Sequence, residues 1–129
     1  MVIDSSAFVA IVIGEPEREA FSRAILSQAT RLVSTATLLE TTMVVLGRKG
    51  EPGVAEFNAF IDHTGIETAP FTAEHLDFAI DAFRRFGKGR HPAGLNFGDC
   101  ISYALAKATG EPLLFKGDDF SRTDIRRAV

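Results

Sequence analysis

The chain has 129 residues, 46% hydrophobic and 24% charged, with a formal net charge of −3. That length suits one domain with its own core, and the composition excludes a disordered chain. A single cysteine, Cys100, excludes a disulfide framework or a cysteine zinc site, and the acidic balance excludes indiscriminate coating of nucleic acid.

One lone thiol also sets a reducing, cytoplasmic compartment as the expectation. No apolar run reaches the roughly 18 to 20 residues of a membrane span. The opening Met1-Val2-Ile3-Asp4 lacks the basic and long apolar regions of a secretory leader.

Met1 to Asp4 reads as a short buried strand ending in a carboxylate. Ser5 or Ser6 then caps an apolar helix to about Ile13, stopped by Gly14. Pro16 suits the first turn of a second helix, to about Gln28, with Phe21, Ala24, Ile25 and Gln28 on one face. Arg31 to Thr35 reads as a strand. A helix from Thr37 to about Leu46 follows, with Leu39, Met43 and Leu46 turned inward and the Gly47 region closing it. Another helix runs from about Val54 to His63, and Ile66 to Phe71 reads as a strand. Thr72 caps a longer helix to about Phe86. Gly87, Gly89, Pro92 and Gly94 mark a loop, and Phe97 to Ala108 a further helix. Pro112 to Phe115 is the last strand. Strands alternating with helices point to a three-layer α/β/α fold around a mostly parallel sheet, spanning residues 1–129 as one domain.

The acidic residues stand out against this frame. Asp4 ends the first strand, and Asp118 with Asp119 follows the last. Ligands gather at the carboxyl ends of strands in open α/β sheets, so these positions share an edge. Glu40 lies one helical turn after a strand, and Asp99 in the first turn of a helix. Asp4 and Asp99 each read equally well as helix-terminal acids. Glu40 has apolar or small neighbours and no Lys or Arg within a helical turn, so its charge lacks a local partner. Carboxylates crowded together raise one another's pKa unless a cation neutralises them. An oxygen-only set suits Mg²⁺, with Mn²⁺ as the other fitting ion, and such a site suits phosphodiester hydrolysis.

Four segments carry a family resemblance. They are Met1-Val2-Ile3-Asp4-Ser5-Ser6-Ala7, Ser34-Thr35-Ala36-Thr37-Leu38-Leu39-Glu40, the run from Gly87-Lys88-Gly89-Arg90-His91 into Leu95-Asn96-Phe97-Gly98-Asp99-Cys100, and Leu113-Leu114-Phe115-Lys116-Gly117-Asp118-Asp119-Phe120 with Thr123-Asp124-Ile125. In that order the sequence resembles a PIN-domain ribonuclease, more narrowly a VapC-type toxin of bacterial toxin–antitoxin pairs. The resemblance implies that Asp4, Glu40 and Asp99 bind metal, with the fourth acid at Asp118 or Asp119. It also implies an RNA substrate, a homodimer, and a small VapB-like antitoxin that blocks the active-site groove. The apolar stretches Ala7 to Ile13 and Phe21 to Leu26 are the expected dimer surface.

Arg84, Arg85, Lys88 and Arg90 form a basic run leading toward Asp99. It reads as a solvated helix end or as an RNA-backbone contact through Arg85, Lys88 and Arg90. Lys116, beside the last acids, neutralises them or meets a phosphate. The phenylalanines read as core, except for whichever of Phe86, Phe97 and Phe120 is exposed. Two rival readings share the acids: a phosphoacceptor domain of response-regulator type, and a non-catalytic acidic module that grips a basic peptide. The first needs an acid at a middle strand end, where this chain has Pro70-Phe71.

Overall fold

The computed structural model describes residues 1–129. Strands β1 (Val2–Ile3), β2 (Leu32–Ser34), β3 (Glu67–Ala69) and β4 (Leu113–Leu114) form one sheet in the order β3-β2-β1-β4. Every pairing is parallel, with Val2 opposite both Leu32 and Leu113. All four strands therefore point their carboxyl ends to one edge.

The strands are short, but their alternation sorts the core into two layers. Ile3, Val33 and Leu114 face helices α1 (Ser5–Ile13), α2 (Arg18–Leu26) and α3 (Thr35–Thr64) through Phe8, Ile11, Phe21, Ile25, Val45 and Phe57. Val2 and Leu113 face helices α4 (Ala73–Phe86) and α5 (Phe97–Thr109) through Ala79, Ala82, Tyr103 and Ala104. Helices thus cover both faces, as the strand–helix alternation predicts. No helix is long and apolar enough to cross a membrane.

Helix α1 is capped by Asp4, which accepts from the Ser6 backbone N–H, rather than by Ser5 or Ser6. Gly14 ends it in the left-handed conformation, a backbone glycine adopts at little cost. The expected break at Gly47 is absent. Helix α3 instead kinks at Gly50 (φ 67°, ψ −164°), and Pro52 opens the second segment, where its missing N–H costs nothing.

Two expectations about burial are overturned. Leu39 and Met43 are 63% and 65% exposed, and Leu46 is exposed as well. Thr37, Thr41 and Val45, four residues apart, are the buried face of that segment. Thr41 is buried without penalty because its hydroxyl donates to the Thr37 carbonyl at 2.8 Å. Most apolar residues of α1 and α2 expected on a dimer surface lie in the core instead: Ala7, Phe8, Ala10, Ile11, Val12, Phe21 and Ile25 are buried, while Leu26 is 58% exposed and Val9, Ile13 and Ala24 are half-buried.

Beyond β4 the chain makes a 3₁₀ turn at Phe120–Arg122 and returns along the sheet edge. Leu113 donates to the Arg126 carbonyl and accepts from the Ala128 N–H, both at 2.9 Å. The tail thereby covers an edge that would otherwise be open.

Candidate active site

Three helix N-termini and the segment after β4 converge at the carboxyl edge of the sheet. Asp4, 2% exposed, stands at the end of β1. Its Oδ2 accepts from the Ser6 N–H (3.0 Å) and the Ser6 hydroxyl (2.6 Å), and its Oδ1 accepts from the Ser102 hydroxyl on α5 (2.5 Å). Ser102 in turn lies 3.4 Å from the Thr37 hydroxyl of α3. Three helices therefore fix the orientation of one carboxylate.

Asp99 sits in the first turn of α5 in a reciprocal cap with Asn96. The Asn96 side chain accepts from the Asp99 N–H (2.9 Å), and Asp99 Oδ2 accepts from the Asn96 N–H (3.0 Å). Burial pushes its carboxyl up to about 7; the Asn96 bond opposes the rise, and the charges of Asp4, Asp119 and Glu40 add to it. Glu40 projects from the second turn of α3, which Ser34 caps. Burial raises its pKa, the Ser5 hydroxyl pulls part of that back, and the Asp4 charge raises it further. Its Oε1 is buried with no hydrogen-bond partner. Such an orphaned oxygen costs free energy unless something fills it.

Asp118 and Asp119 are both exposed after β4. Asp119 is the member of the doublet whose charge reaches Asp99. The Asp118 carbonyl closes the following turn, accepting from the Ser121 N–H (3.2 Å) and hydroxyl (2.6 Å). Asp4, Glu40 and Asp119 thus lie near enough for their charges to act on Asp99, and no hydrogen bond or ion pair links Asp118 to them.

The donor chemistry fits a hard divalent cation. The donors are all oxygens, the neighbouring acidic charges add to the raised pKa of Asp99 and of Glu40, and one oxygen is buried without a partner. No three of them stand grouped around one point; Ser6 and Ser102 hold Asp4, and Asn96 holds Asp99. Asp4, Glu40 and Asp99, with Asp119 or Asp118, are the side chains at this edge with the oxygens to hold such an ion.

The basic residues divide. Arg85 is committed to protein: it reaches Asp81 (3.3 Å), Asp124 (3.5 Å) and the Tyr103 hydroxyl (3.3 Å), and stacks 4.7 Å above the Phe86 ring. Lys116 neutralises Glu15 and Glu17 rather than the acids beside it in sequence. In the free protein both are therefore engaged in partly exposed ion pairs with carboxylates of the chain itself. Arg84, Lys88 and Arg90 make no ion pair. Lys88 and Arg90 are exposed on a loop closed by Lys88 N–H to Leu95 carbonyl (2.9 Å) and Leu95 N–H to Phe86 carbonyl (2.9 Å). His91 is structural: its Nδ1 accepts from the Ala93 N–H at 3.0 Å. The Cys100 thiol is pushed up to about 11, first by burial and then by Asp99, which keeps it inert.

Sequence reasoning missed the residues that orient the acids. Ser102 lies one turn after Asp99 on the same helix face, and Asn96-x-x-Asp99 is a capping-box spacing. Both signals were present in the sequence. Gly98 gave none, and its role is a close approach: a Cβ there would overlap the Glu40 carboxylate.

Comparison with known proteins agrees with this arrangement. A family model described as the PIN domain matches residues 1–126. The chain is 50% identical over 125 residues to ribonuclease VapC30 of Mycobacterium tuberculosis, covering 97% of this chain and 95% of that protein. It is 49% identical to a ribonuclease VapC of Mycolicibacterium smegmatis over 97% of both. Among solved structures, M. tuberculosis VapC20, a sarcin-ricin loop cleaving toxin, superposes with a TM-score of 0.77 at 21% identity, covering 96% of this chain and 95% of that one. VapBC2 of Rickettsia felis, bound to a promoter DNA fragment, also reaches 0.77, at 15% identity over 98% of this chain and 94% of that one. Nucleases of this group work with a divalent metal, which the oxygen-only donor set suits. With its parallel sheet, its acids gathered at one edge and half its residues shared with VapC ribonucleases over nearly the whole length, the chain belongs to the PIN-domain family and, within it, to the VapC ribonucleases.

Proposed function

We propose that this protein is the endoribonuclease toxin of a toxin–antitoxin pair, hydrolysing RNA phosphodiester bonds with Mg²⁺ held by Asp4, Glu40, Asp99 and Asp119; Mn²⁺ fits the same donors. The observation that carries this is the placement of Asp4, Glu40 and Asp99 at the carboxyl edge of a parallel sheet, with a buried, unpartnered Glu40 oxygen among them. A bound divalent cation supplies charge neutralisation and acidifies an attacking water.

The chain's own residues do the rest. Ser6 and Ser102 hold Asp4 so that it does not rotate away, and Asn96 fixes Asp99. Gly98 leaves room for the Glu40 carboxylate beside α5. Without a cation the acids repel phosphate, and Lys88 and Arg90 are the exposed, unpaired charges that attract it. Asp119 rather than Asp118 is the fourth acid.

The 129 residues act as one PIN domain in the cytoplasm. A small VapB-like antitoxin is the partner, and the toxin forms a homodimer. With α1 and α2 turned into the core, the exposed apolar stripe of Leu39, Met43 and Leu46 on α3 is the dimer surface.

The test is digestion of RNA by purified protein in Mg²⁺ and in EDTA, with Asp99→Asn as control. Cleavage in Mg²⁺ alone, absent in the variant, is expected. Equal cleavage by Asp99→Asn would overturn the assignment.

A further inference from the structure

Lys116 is the first exposed residue after β4, directly beyond the buried Leu114 and Phe115. Its side chain turns away from the acids that follow it in sequence. The ammonium pairs with Glu15 and with Glu17, the latter at 3.2 Å, both in the connection between α1 and α2. Its backbone faces the acidic edge. The Lys116 N–H donates to the Ser6 hydroxyl at 3.0 Å, and that hydroxyl donates to Asp4 Oδ2 at 2.6 Å. A hydroxyl has one hydrogen to give. With the Lys116 N–H filling a lone pair of the oxygen, that hydrogen is left for Asp4.

Lys116 also begins the loop that carries the last acids. Gly117 stands in open space with φ 97°, Asp118 and Asp119 are exposed, and Phe120 is buried with its ring 5.1 Å from that of Phe115. The loop therefore has two anchors, the Lys116 ion pairs at one end and the Phe120 ring at the other. Ion pairs this exposed add little to the stability of a fold. What they supply here is a fixed starting point for the loop and for the Lys116 N–H.

We propose that Lys116 is a positioning residue of the metal site: pinned by Glu15 and Glu17, it holds the N–H that directs Ser6 onto Asp4 and fixes the start of the acidic loop. This rests on the metal-dependent ribonuclease reading above and adds what keeps its first acid aimed. The sign of the effect separates this role from simple charge. A nearby cation repels an incoming metal ion, so by charge alone the loss of Lys116 strengthens Mg²⁺ binding. Lost positioning weakens it. Neutralising Glu15 and Glu17 likewise frees the ammonium, so a lysine that contacted phosphate would then bind RNA more tightly. A positioning lysine loses its anchor instead.

The experiment uses the full chain, with Mg²⁺ affinity measured by calorimetry and amide hydrogen exchange measured in EDTA. Lys116→Met keeps the apolar stem, drops the charge and should weaken Mg²⁺ binding about 10-fold, the lower end of what partners of metal ligands contribute. Glu15→Gln with Glu17→Gln should weaken it as much, although the lysine is still there. Lys116→Arg keeps both ion pairs and should retain wild-type affinity. In the weakened variants the amide at position 116 should exchange faster, while the Val2 and Leu113 amides, bonded to Pro112 and Arg126 carbonyls, keep their protection. Unchanged or tighter Mg²⁺ binding in Lys116→Met would overturn the proposal. So would tighter RNA binding with a steeper salt slope in the double glutamine variant, which would make Lys116 a phosphate contact. Weakened Mg²⁺ binding with equal loss of protection at Val2 and Leu113 would be general loosening, and would overturn it too. Absence of Mg²⁺ binding in the wild-type chain would remove the metal reading itself, whereas binding that every variant retains would remove only the role of Lys116.

Discussion

The Glu40 carboxylate lies directly against the Cα of Gly98, so closely that a methyl group on Gly98 would overlap it. One residue is on α3 and the other in the first turn of α5, so the missing side chain at Gly98 is what leaves the Glu40 carboxylate its place between the two helices. The blocking atoms belong to the end of a flexible side chain, which can swing away.

Gly98→Ala should therefore change stability little, since alanine favours a helix by roughly 1 kcal/mol over glycine and offsets the local crowding. RNA cleavage should fall at least 10-fold as Glu40 is expelled. Thermal unfolding beside a cleavage assay checks this, and full activity in Gly98→Ala would refute the role of Glu40.

Substitutions at Asp4 should separate chemistry from folding. Asp4→Asn keeps the shape that accepts from the Ser6 N–H and should abolish cleavage at a stability cost of about 1 kcal/mol. Asp4→Ala also removes the cap of α1 and strands the Ser102 hydroxyl, at a cost of about 2 to 4 kcal/mol. The measurement is urea unfolding of both variants in EDTA.

Asp99 gives a pH dependence whose sign follows from its raised pKa of about 7 against 3.8. Between those values the folded protein holds a proton that the unfolded chain has released. Its contribution is fully present below about pH 4 and is lost as pH rises through about 7. In EDTA the stability of wild type relative to Asp99→Asn should fall across that window. Mg²⁺ affinity should rise through it, because the ligand must deprotonate. Flat pH profiles for both differences would contradict the raised pKa.

Lys88 and Arg90 should act differently from Arg85. Replacing the first two with Ala should shrink the salt slope of RNA binding by about 1.4, two single-strand contacts. Arg85→Ala should leave that slope unchanged and cost about 1 kcal/mol through its exposed pairs and its stacking on Phe86. Affinity across a salt series, with unfolding curves alongside, distinguishes the two kinds of arginine.

Met43→Glu with Leu46→Glu should yield a monomer by light scattering without lowering the melting temperature, because both side chains are already exposed. A dimer that persists in this variant would place the interface elsewhere.

What the sequence determined by itself were features set within one turn or one strand. Apolar runs bounded by Asp4, Gly14 or Gly110 mark strand and helix ends because caps and left-handed glycines act locally. The strand–helix alternation gave the layers, and the spacing of Asp4, Glu40 and Asp99 after strands or at helix starts gave the acidic rim. Which residues face inward was decided only by tertiary packing. On α3 the apolar stripe of Leu39, Met43 and Leu46 points to solvent, while Thr37 and Thr41 are buried. Periodicity reports a stripe but not what lies opposite it, and small, internally bonded threonines allow the close approach of α5 that brings Ser102 to Asp4. The pairing of charges was equally beyond reach of the sequence. Lys116 lies next to Gly117-Asp118 in the chain yet reaches Glu15 and Glu17, and Arg85 reaches Asp124. A long cation binds whichever carboxylate the fold brings within its reach, and only the folded backbone fixes that distance.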